Sequence, residues 1–378
     1  MISVEAEPLE TLRRRTSAKW QLFPPDVLPL FVAEMDYPLA EPIIRVLQER
    51  IAASDSGYVS GPAEVAVAFA GFAERHWGWR VDPSGIRITT DVSVCIVETL
   101  RRVIAPGDGI IVTTPVYAPF MELVEEAGGV VVDVPLGTGY TLDLDGIDTA
   151  LAAGARAILI SNPHNPLGHP HSAESLTGLA ALAARHGVTV VSDEIHGPLV
   201  QPGATFTPFL TVSDAAREWG VTVTSASKAF NLAGFKCALM IAASERAVAV
   251  LDGMPAEVAY RTSILGAHAT VAAFTQGDEW LAGALAAIDR SADLLGELLA
   301  AHLPDVGYVK PHASYLAWLD LSALGWGDDP AQRALEVGRV ALNSGISFGP
   351  AGAGYARLNL ACSPEVLTEA VRRLAAAR

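Results

Sequence analysis

The chain is short of cysteine, of positive charge and of long apolar runs, and each shortage excludes something. Cys95, Cys237 and Cys362 are far apart in 378 residues. They offer neither a disulfide framework nor metal-ligand spacing. They read as buried small hydrophobes in a chain suited to a reducing cytoplasm. Asp and Glu outnumber Lys and Arg by 42 to 26, a formal net charge of −16. That field repels nucleic acid and anionic membrane surfaces. It also repels acidic small substrates, unless one fixed Arg makes a local exception. No run of about 18 apolar residues occurs, so no membrane span is expected. The opening MISVEAEPLETLRRR has no apolar core and does not read as a secretory signal. Repeats, low-complexity tracts and long flexible linkers are not found.

What is present is a large apolar fraction, 51%, with 18% charged residues. That is enough for a substantial core and argues against disorder. The length suits one large domain or two moderate ones. Short, mostly continuous apolar runs read as strands buried on both faces: Gly109–Thr113, Val130–Val134, Ala157–Ile160, Val188–Ser192, Thr222–Ser225 and Ala238–Ala242. Helical stretches separate several of them. Ala173–His186 has Leu176, Leu179, Ala180 and Ala183 on one face, Ser172 to cap its start and Gly187 to end it. The alternation implies an α/β large domain with a mostly parallel sheet flanked by helices, over 48–277. The rest reads differently. A long helix over Glu279–Leu303, strands near Tyr315–Leu319 and Ala356–Leu360, and a helix entered through Ser363-Pro364 make a smaller α+β domain. It comprises 278–378, completed by residues 1–47.

In an open α/β sheet, ligands bind beyond the carboxyl ends of the strands. There the chain places Tyr117, Asn165, Asp193 and Lys228: a ring, an amide, a carboxylate and an amine. The set suits a flat, charged heteroaromatic cofactor. Lys228, in TSASKAFNLAGFK, follows an apolar strand. Ser225, Ser227 and nearby backbone amides offer places for a phosphate, and Lys236 could add positive charge. A pyridoxal 5′-phosphate (PLP) lysine has to form an imine and later act as a base. Asp193 closes VTVVSDEIH; a buried carboxylate needs a cationic partner, and a pyridinium nitrogen is one. Asn165 sits in the rigid turn SNPHNPLG and can face a phenolic oxygen. Tyr117, in TTPVYAPF, can stack on the ring. A helix starting near Asp91–Ser93 has free N–H groups for a phosphate. Arg357, in YARLNLAC, shares a strand face with Asn359, opposite Leu358 and Leu360. It suits bidentate capture of an α-carboxylate, the bland alternative being a cross-strand salt bridge. His164, His169 and His171 invite a metal reading but straddle prolines. They read as a solvated loop, and no metal site is expected.

Together these segments resemble the PLP-dependent aminotransferase superfamily of fold-type I, from about Lys19 to the C-terminus. FVAEMDYPLAEPI, DEIH, SKAFNLAGFKC and ASYLAWLDL most resemble the MalY/PatB-type carbon–sulfur lyases, the bacterial cystathionine β-lyases and cysteine desulfhydrases. The resemblance implies Lys228 as the Schiff-base lysine, Asp193 as partner of the pyridine nitrogen and Asn165 as donor to the phenolic oxygen. Tyr117 is implied as the stacking ring and Arg357 as the substrate-carboxylate arginine. Val92, Ser93, Ser225 and Ser227 look like phosphate ligands. Tyr58, in SGYVSGP, resembles a tyrosine that reaches the phosphate of a neighbouring subunit, which implies a homodimer with shared sites. His196 stands where many aminotransferases have a Tyr against the phenolic oxygen, as in the lyase group. Departures are Glu34 in VAEMD for a usual Asp, Gly197-Pro198 after DEIH, and Phe206 where a His is common; these positions are expected near the substrate entrance. The implied reaction is β-elimination from a sulfur-containing amino acid, giving a thiol, pyruvate and ammonia. The rivals are an aminotransferase using the same residues and a non-catalytic binding module.

Overall fold

The computed structural model describes residues 2–378. Seven strands form the main sheet: Ile86–Thr89 (β1), Gly109–Val112 (β2), Val130–Asp133 (β3), Ala157–Ser161 (β4), Thr189–Asp193 (β5), Gly220–Thr224 (β6) and Ala238–Ile241 (β7). Their order is β1-β7-β6-β5-β4-β2-β3. Only β7 runs antiparallel to its neighbours. Every residue of β4 to β7 is buried. Helices cover both faces, so the strands read as unbroken apolar runs. Ile158, Ile160 and Val190 join the core on one face, and Ala157, Leu159 and Val191 the core on the other. The strands expected from sequence form within one or two residues of their expected ends. β1 was not among them: in Ile-Arg-Ile-Thr, Arg87 turns outward to Asp252, and an edge strand this short carries little apolar signal.

Local capping sets several helix ends. The helix Ala173–His186 starts where Ser172 accepts the N–H of Ser175, and stops where Gly187 takes φ +66°. Gly is suited to that left-handed turn because it has no Cβ to clash. Ser363 caps Pro364–Ala376 in the same way.

A second sheet contains Gly307–Tyr308 (β8), Leu316–Asp320 (β9), Asn343–Ser344 (β10) and Tyr355–Asn359 (β11), antiparallel in the order β10-β11-β9-β8. The long helix Asp278–His302 packs against Pro364–Ala376 beside it. The N-terminal segment is stitched to this sheet. Leu28–Pro29 pairs with Val340–Ala341, Asn359 N–H donates to Leu30 O, and Asp36 N–H donates to Ala361 O. Residues 31–36 are thereby held across the gap between the sheets. The boundary expected after residue 47 falls inside the helix Glu41–Ala52, which packs on Ile264–Gln276. No described helix is long and apolar enough to cross a membrane. Cys95, Cys237 and Cys362 are free and buried.

Candidate active site

The carboxyl ends of β1, β2, β4, β5 and β6 lie along one edge of the main sheet. A cavity of about 490 Å³ opens there, between that edge, the loop over residues 31–33 and β11. Its wall includes Lys228, Asp193, Asn165, Tyr117, His196 and Arg357. Tyr117, Asn165, Asp193 and Lys228 are brought together because parallel strands deliver their carboxyl ends to one side, and Arg357 reaches the same cavity from the second sheet.

Lys228 sits on the one-turn helix Ala226–Ala229 after β6. Its Nζ donates to Ala33 O at 2.9 Å. Burial, then the positive charge of Arg357, lowers its pKa to about 8. A neutral amine is therefore available near neutral pH, as imine formation and base catalysis need.

Asp193 ends β5, 6% exposed. One oxygen accepts the N–H of Ile195 at 3.1 Å, and no Lys, Arg or His of the described residues pairs with it. Burial raises its pKa to about 7; the Ile195 bond and the charge of Lys228 pull the other way. A buried carboxylate without a cation is costly, and a protonated ring nitrogen would relieve it.

Arg357 is 3% exposed. Its Nη1 donates to Asn165 Oδ1 at 2.9 Å and its Nη2 to Phe31 O at 3.1 Å. The guanidinium packs 5.0 Å from the centre of the Phe348 ring, and its buried Nε has no partner. Burial lowers its pKa to about 10, and it stays charged at neutral pH. The cross-strand salt bridge is absent: no carboxylate of the described residues lies within ion-pair distance of Arg357. The Arg357 bond also fixes the Asn165 amide, because only its oxygen can accept. The amide nitrogen is left for another acceptor.

His196 Nδ1 and Ser314 Oγ are 3.0 Å apart. Burial and the charges of Lys228 and Arg357 push the His196 pKa down to about 3, so the ring is neutral. Tyr117 lies on the cavity wall with its ring edge-on to Phe120 at 5.8 Å. Burial, and then Asp193, raise its pKa.

A phosphate would meet the start of the helix Val92–Val103. Asp91 caps it by accepting the N–H of Val94, and the N–H groups of Val92 and Ser93 belong to the turn that no helical carbonyl serves. Ser227 is on the same wall. Two expected phosphate contacts are partly committed within the chain. Ser225 Oγ donates to Cys237 O at 2.7 Å and accepts the N–H of Ser227, so it serves as a helix cap. Lys236 pairs with Asp91 at 3.0 Å. Tyr58 is not on the cavity wall; it is 83% exposed, beside Tyr260.

Two expectations are corrected. The histidine segment is not a solvated loop. His164 and His171 are buried, with ring centres 5.3 Å apart, because His164 and His169 form a β-bridge that folds the segment inward. His164 Nε2–H donates to Pro115 O at 2.7 Å and ties this turn to the strand end carrying Tyr117. Among the described residues no group of side chains is arranged to hold a metal. Gly197, Pro198 and Phe206 line a separate cavity with Trp77 and Leu281, not the one holding Lys228. Phe206 is held edge-on against Trp77 at 5.0 Å, and its ring fills the space a Cβ at Gly197 would need.

Sequence reasoning assigned no role to Ala33 or Tyr315. Tyr315 O–H donates to Ala33 O at 3.0 Å, the same acceptor that Lys228 uses. Both residues lie inside motif segments, but a backbone carbonyl leaves no trace in residue types. Asn359 supports that loop by donating to Val32 O and Glu34 O, each at 2.7 Å. Lys19 Nζ lies 2.7 Å from Asp36 Oδ1, with both side chains at most 1% exposed. It also donates to Glu34 O.

The unpaired carboxylate, the amine of lowered pKa and the free helix start fit PLP, and with the two-sheet architecture they define a fold-type I enzyme of amino-acid chemistry. The family model for class I and II aminotransferases matches residues 25–374. The chain belongs to that family. It is 35% identical over 362 residues to the cystathionine beta-lyase PatB of Bacillus subtilis, covering 93% of this chain and 92% of that protein. A Mycobacterium tuberculosis protein provisionally named a cystathionine beta-lyase is 44% identical over 398 residues, covering 98% of this chain and 97% of the other. A crystal structure from Corynebacterium diphtheriae, provisionally described as a PLP-dependent beta-cystathionase, superposes with a TM-score of 0.94 at 32% identity, covering 99% of each chain.

Proposed function

We propose that the protein is a PLP-dependent carbon–sulfur β-lyase that cleaves cystathionine or related cysteine S-conjugates to a thiol, pyruvate and ammonia. The observation that carries this reading is Arg357: a buried guanidinium with unspent donors and no carboxylate of its own, in the cavity that holds Lys228. The names of the similar proteins support lyase over transferase chemistry.

Lys228 would hold the cofactor, Asp193 its ring nitrogen, Asn165 its phenolic oxygen and Tyr117 its face. The N–H groups of Val92 and Ser93, with Ser227, would hold its phosphate. When bound, the cofactor supplies a protonated ring that takes up negative charge developing at the substrate Cα. Arg357 binds the α-carboxylate and so fixes which Cα substituent faces Lys228. Lys228, as the neutral amine favoured by its lowered pKa, removes the proton from Cα. Asp193 keeps the proton on the ring nitrogen. The C–S bond breaks with both electrons leaving on sulfur, which is protonated to the thiol. Water then replaces nitrogen on the remaining three-carbon fragment, giving pyruvate and ammonia. His196, kept neutral, would add no positive charge to the bound cofactor's surroundings.

The assembly belongs to the same proposal: a homodimer in which Tyr58, exposed on one subunit, reaches the phosphate of the other. A cytoplasmic location is supported by three free, buried cysteines and the lack of disulfides among the described residues.

The test is incubation of the PLP-loaded protein with L-cystathionine and no keto acid, assaying pyruvate and thiol together, with Lys228→Ala as control. Equal pyruvate and thiol over many turnovers, lost in the variant, is the expected result. Turnover that appears only when a keto acid is added would make the protein an aminotransferase.

A further inference from the structure

Just before β9, Ser314 has φ +70°, a left-handed conformation that residues with a Cβ rarely adopt. Such a backbone persists where its surroundings over-determine it. Here the turn after β5 grips it on both sides. The Ser314 N–H donates to Leu199 O at 2.8 Å, and its carbonyl accepts from Gln201 Nε2 at 3.0 Å. Val200 and Ala313 form a β-bridge between those two contacts. The grip aims the Ser314 hydroxyl at His196, at the head of the same turn, with Oγ 3.0 Å from Nδ1. Both residues are buried.

The protons of this pair are placed by the need to satisfy both groups. The His196 ring is neutral, so one nitrogen carries a proton and the other a lone pair. A proton on Nδ1 would be donated to Ser314 Oγ. The hydroxyl proton would then be buried without an acceptor, because no other group of the described residues is bonded to Ser314 Oγ. An unmet buried donor is disfavoured. With the hydroxyl donating to Nδ1 instead, the ring proton is on Nε2. Nε2 makes no hydrogen bond among the described residues, yet it is not one of the sealed, partnerless atoms of the interior. It therefore opens on the cavity that His196 lines.

An Nε2–H at that place is a donor without a charge. It suits an oxygen acceptor and offers no lone pair to a proton. His196 so arranged does not compete with Lys228 for the proton on Cα.

We propose that Ser314 is a positioning residue: its hydroxyl fixes His196 in the Nε2–H form, which makes His196 a neutral donor to an oxygen of the bound cofactor or of the substrate. The proposal rests on the PLP site and is independent of whether lyase or transferase chemistry follows.

The test is NMR of the full-length protein carrying isotope-labelled histidine, with the His196 signals identified by their loss in His196→Gln. Wild type is compared with Ser314→Ala and with Ser314→Gly, which accepts the left-handed backbone without strain. The expected result is a proton on Nε2 alone in wild type and a mixture of both forms in the two variants. A wild-type proton on Nδ1, or a ring form unchanged in the variants, overturns the proposal. Spectra before and after PLP loading, and again with α-aminoisobutyrate, which has no proton on Cα, identify the acceptor. A shift of the Nε2 signal on PLP loading assigns it to the cofactor, and a shift only with the amino acid assigns it to the substrate. No shift at either stage overturns the donor role. In Ser314→Gly, binding of whichever partner is identified should weaken about two- to tenfold, read from the visible absorbance. Unchanged affinity alongside a changed ring form overturns the donor role as well. A protein that takes up no PLP fails the cofactor reading, while the ring form in the unloaded protein still decides whether Ser314 sets it.

Discussion

Lys228 and Tyr315 donate to one acceptor, the carbonyl oxygen of Ala33, at 2.9 and 3.0 Å. Tyr315 comes from the second sheet's domain, Lys228 from the end of β6, and Ala33 from the segment stitched between them. The phenol therefore competes with the amine for the same lone pairs. Tyr315→Phe leaves that carbonyl to Lys228 alone, which favours the ammonium form. The pKa of Lys228, about 8 in this setting, is expected to rise by up to about one pH unit. The rate at which the apo-protein captures PLP, followed by absorbance against pH, should have its midpoint moved upward. A midpoint that stays put, with normal stability, would reduce Tyr315 to a packing residue.

Arg357→Ala removes the proposed carboxylate anchor and also releases Asn165 and Phe31 O. A drop in kcat/KM of about 10²–10³ is expected for cysteine S-conjugates. Arg357→Lys should recover little, because an ammonium cannot hold two carboxylate oxygens in a plane while also serving Asn165. Steady-state kinetics on both variants checks this; wild-type values for Arg357→Ala would remove it from the carboxylate site.

Glu194, beside Asp193, is buried and accepts from Ser192 Oγ at 3.0 Å and Phe209 N–H at 2.7 Å. Burial pushes its pKa up to about 8, against an ordinary value near 4.5. Its folded pKa is raised, so the stability it contributes is complete below its unfolded pKa and is lost as pH rises through about 8. Glu194→Gln keeps the acceptor and removes the titration. Thermal unfolding from pH 6 to 9 should give a shallower decline in Tm for the variant, which becomes the more stable protein at pH 9. Parallel curves for the two proteins would contradict the assignment.

Lys19 and Asp36 form the buried ion pair that backs residues 31–36. Removing one partner strands the other, at a cost of about 3–5 kcal/mol. Lys19→Met should show that loss by urea unfolding at pH 8. Burial already raises the Asp36 pKa, so the variant should regain stability as pH falls and the stranded carboxyl takes up a proton. Adding Asp36→Asn should recover part of it at pH 8. A Lys19→Met protein as stable as wild type would mean that the pair does not secure this loop.

Much of the fold was legible because its signals are local. Ser172 and Gly187 mark both ends of one helix through bonds and dihedrals spanning a few residues. The apolar runs of β4 to β7 mark strands covered on both faces. β1 escaped notice because Arg87 breaks a four-residue run. The cavity residues at strand ends were legible for a related reason: a polar residue straight after a buried apolar run has few structural uses.

What the sequence by itself determined was which side chains stand at the strand ends: Tyr117, Asn165, Asp193 and Lys228, with Arg357 on a strand of its own. What only the tertiary structure decided was how their donors and acceptors are spent. Ser225 and Lys236 turned out to be engaged with Cys237 O and Asp91. Arg357 turned out to have no carboxylate partner among the described residues and to hold the Asn165 amide. His164 and His171 turned out to be buried. The reason is physical. Capping and periodicity act over one helical turn, whereas the partner of a side chain, and its exposure to water, depend on segments as far apart as residues 33, 228 and 315. Their approach is set by how the two sheets pack around the chain between them.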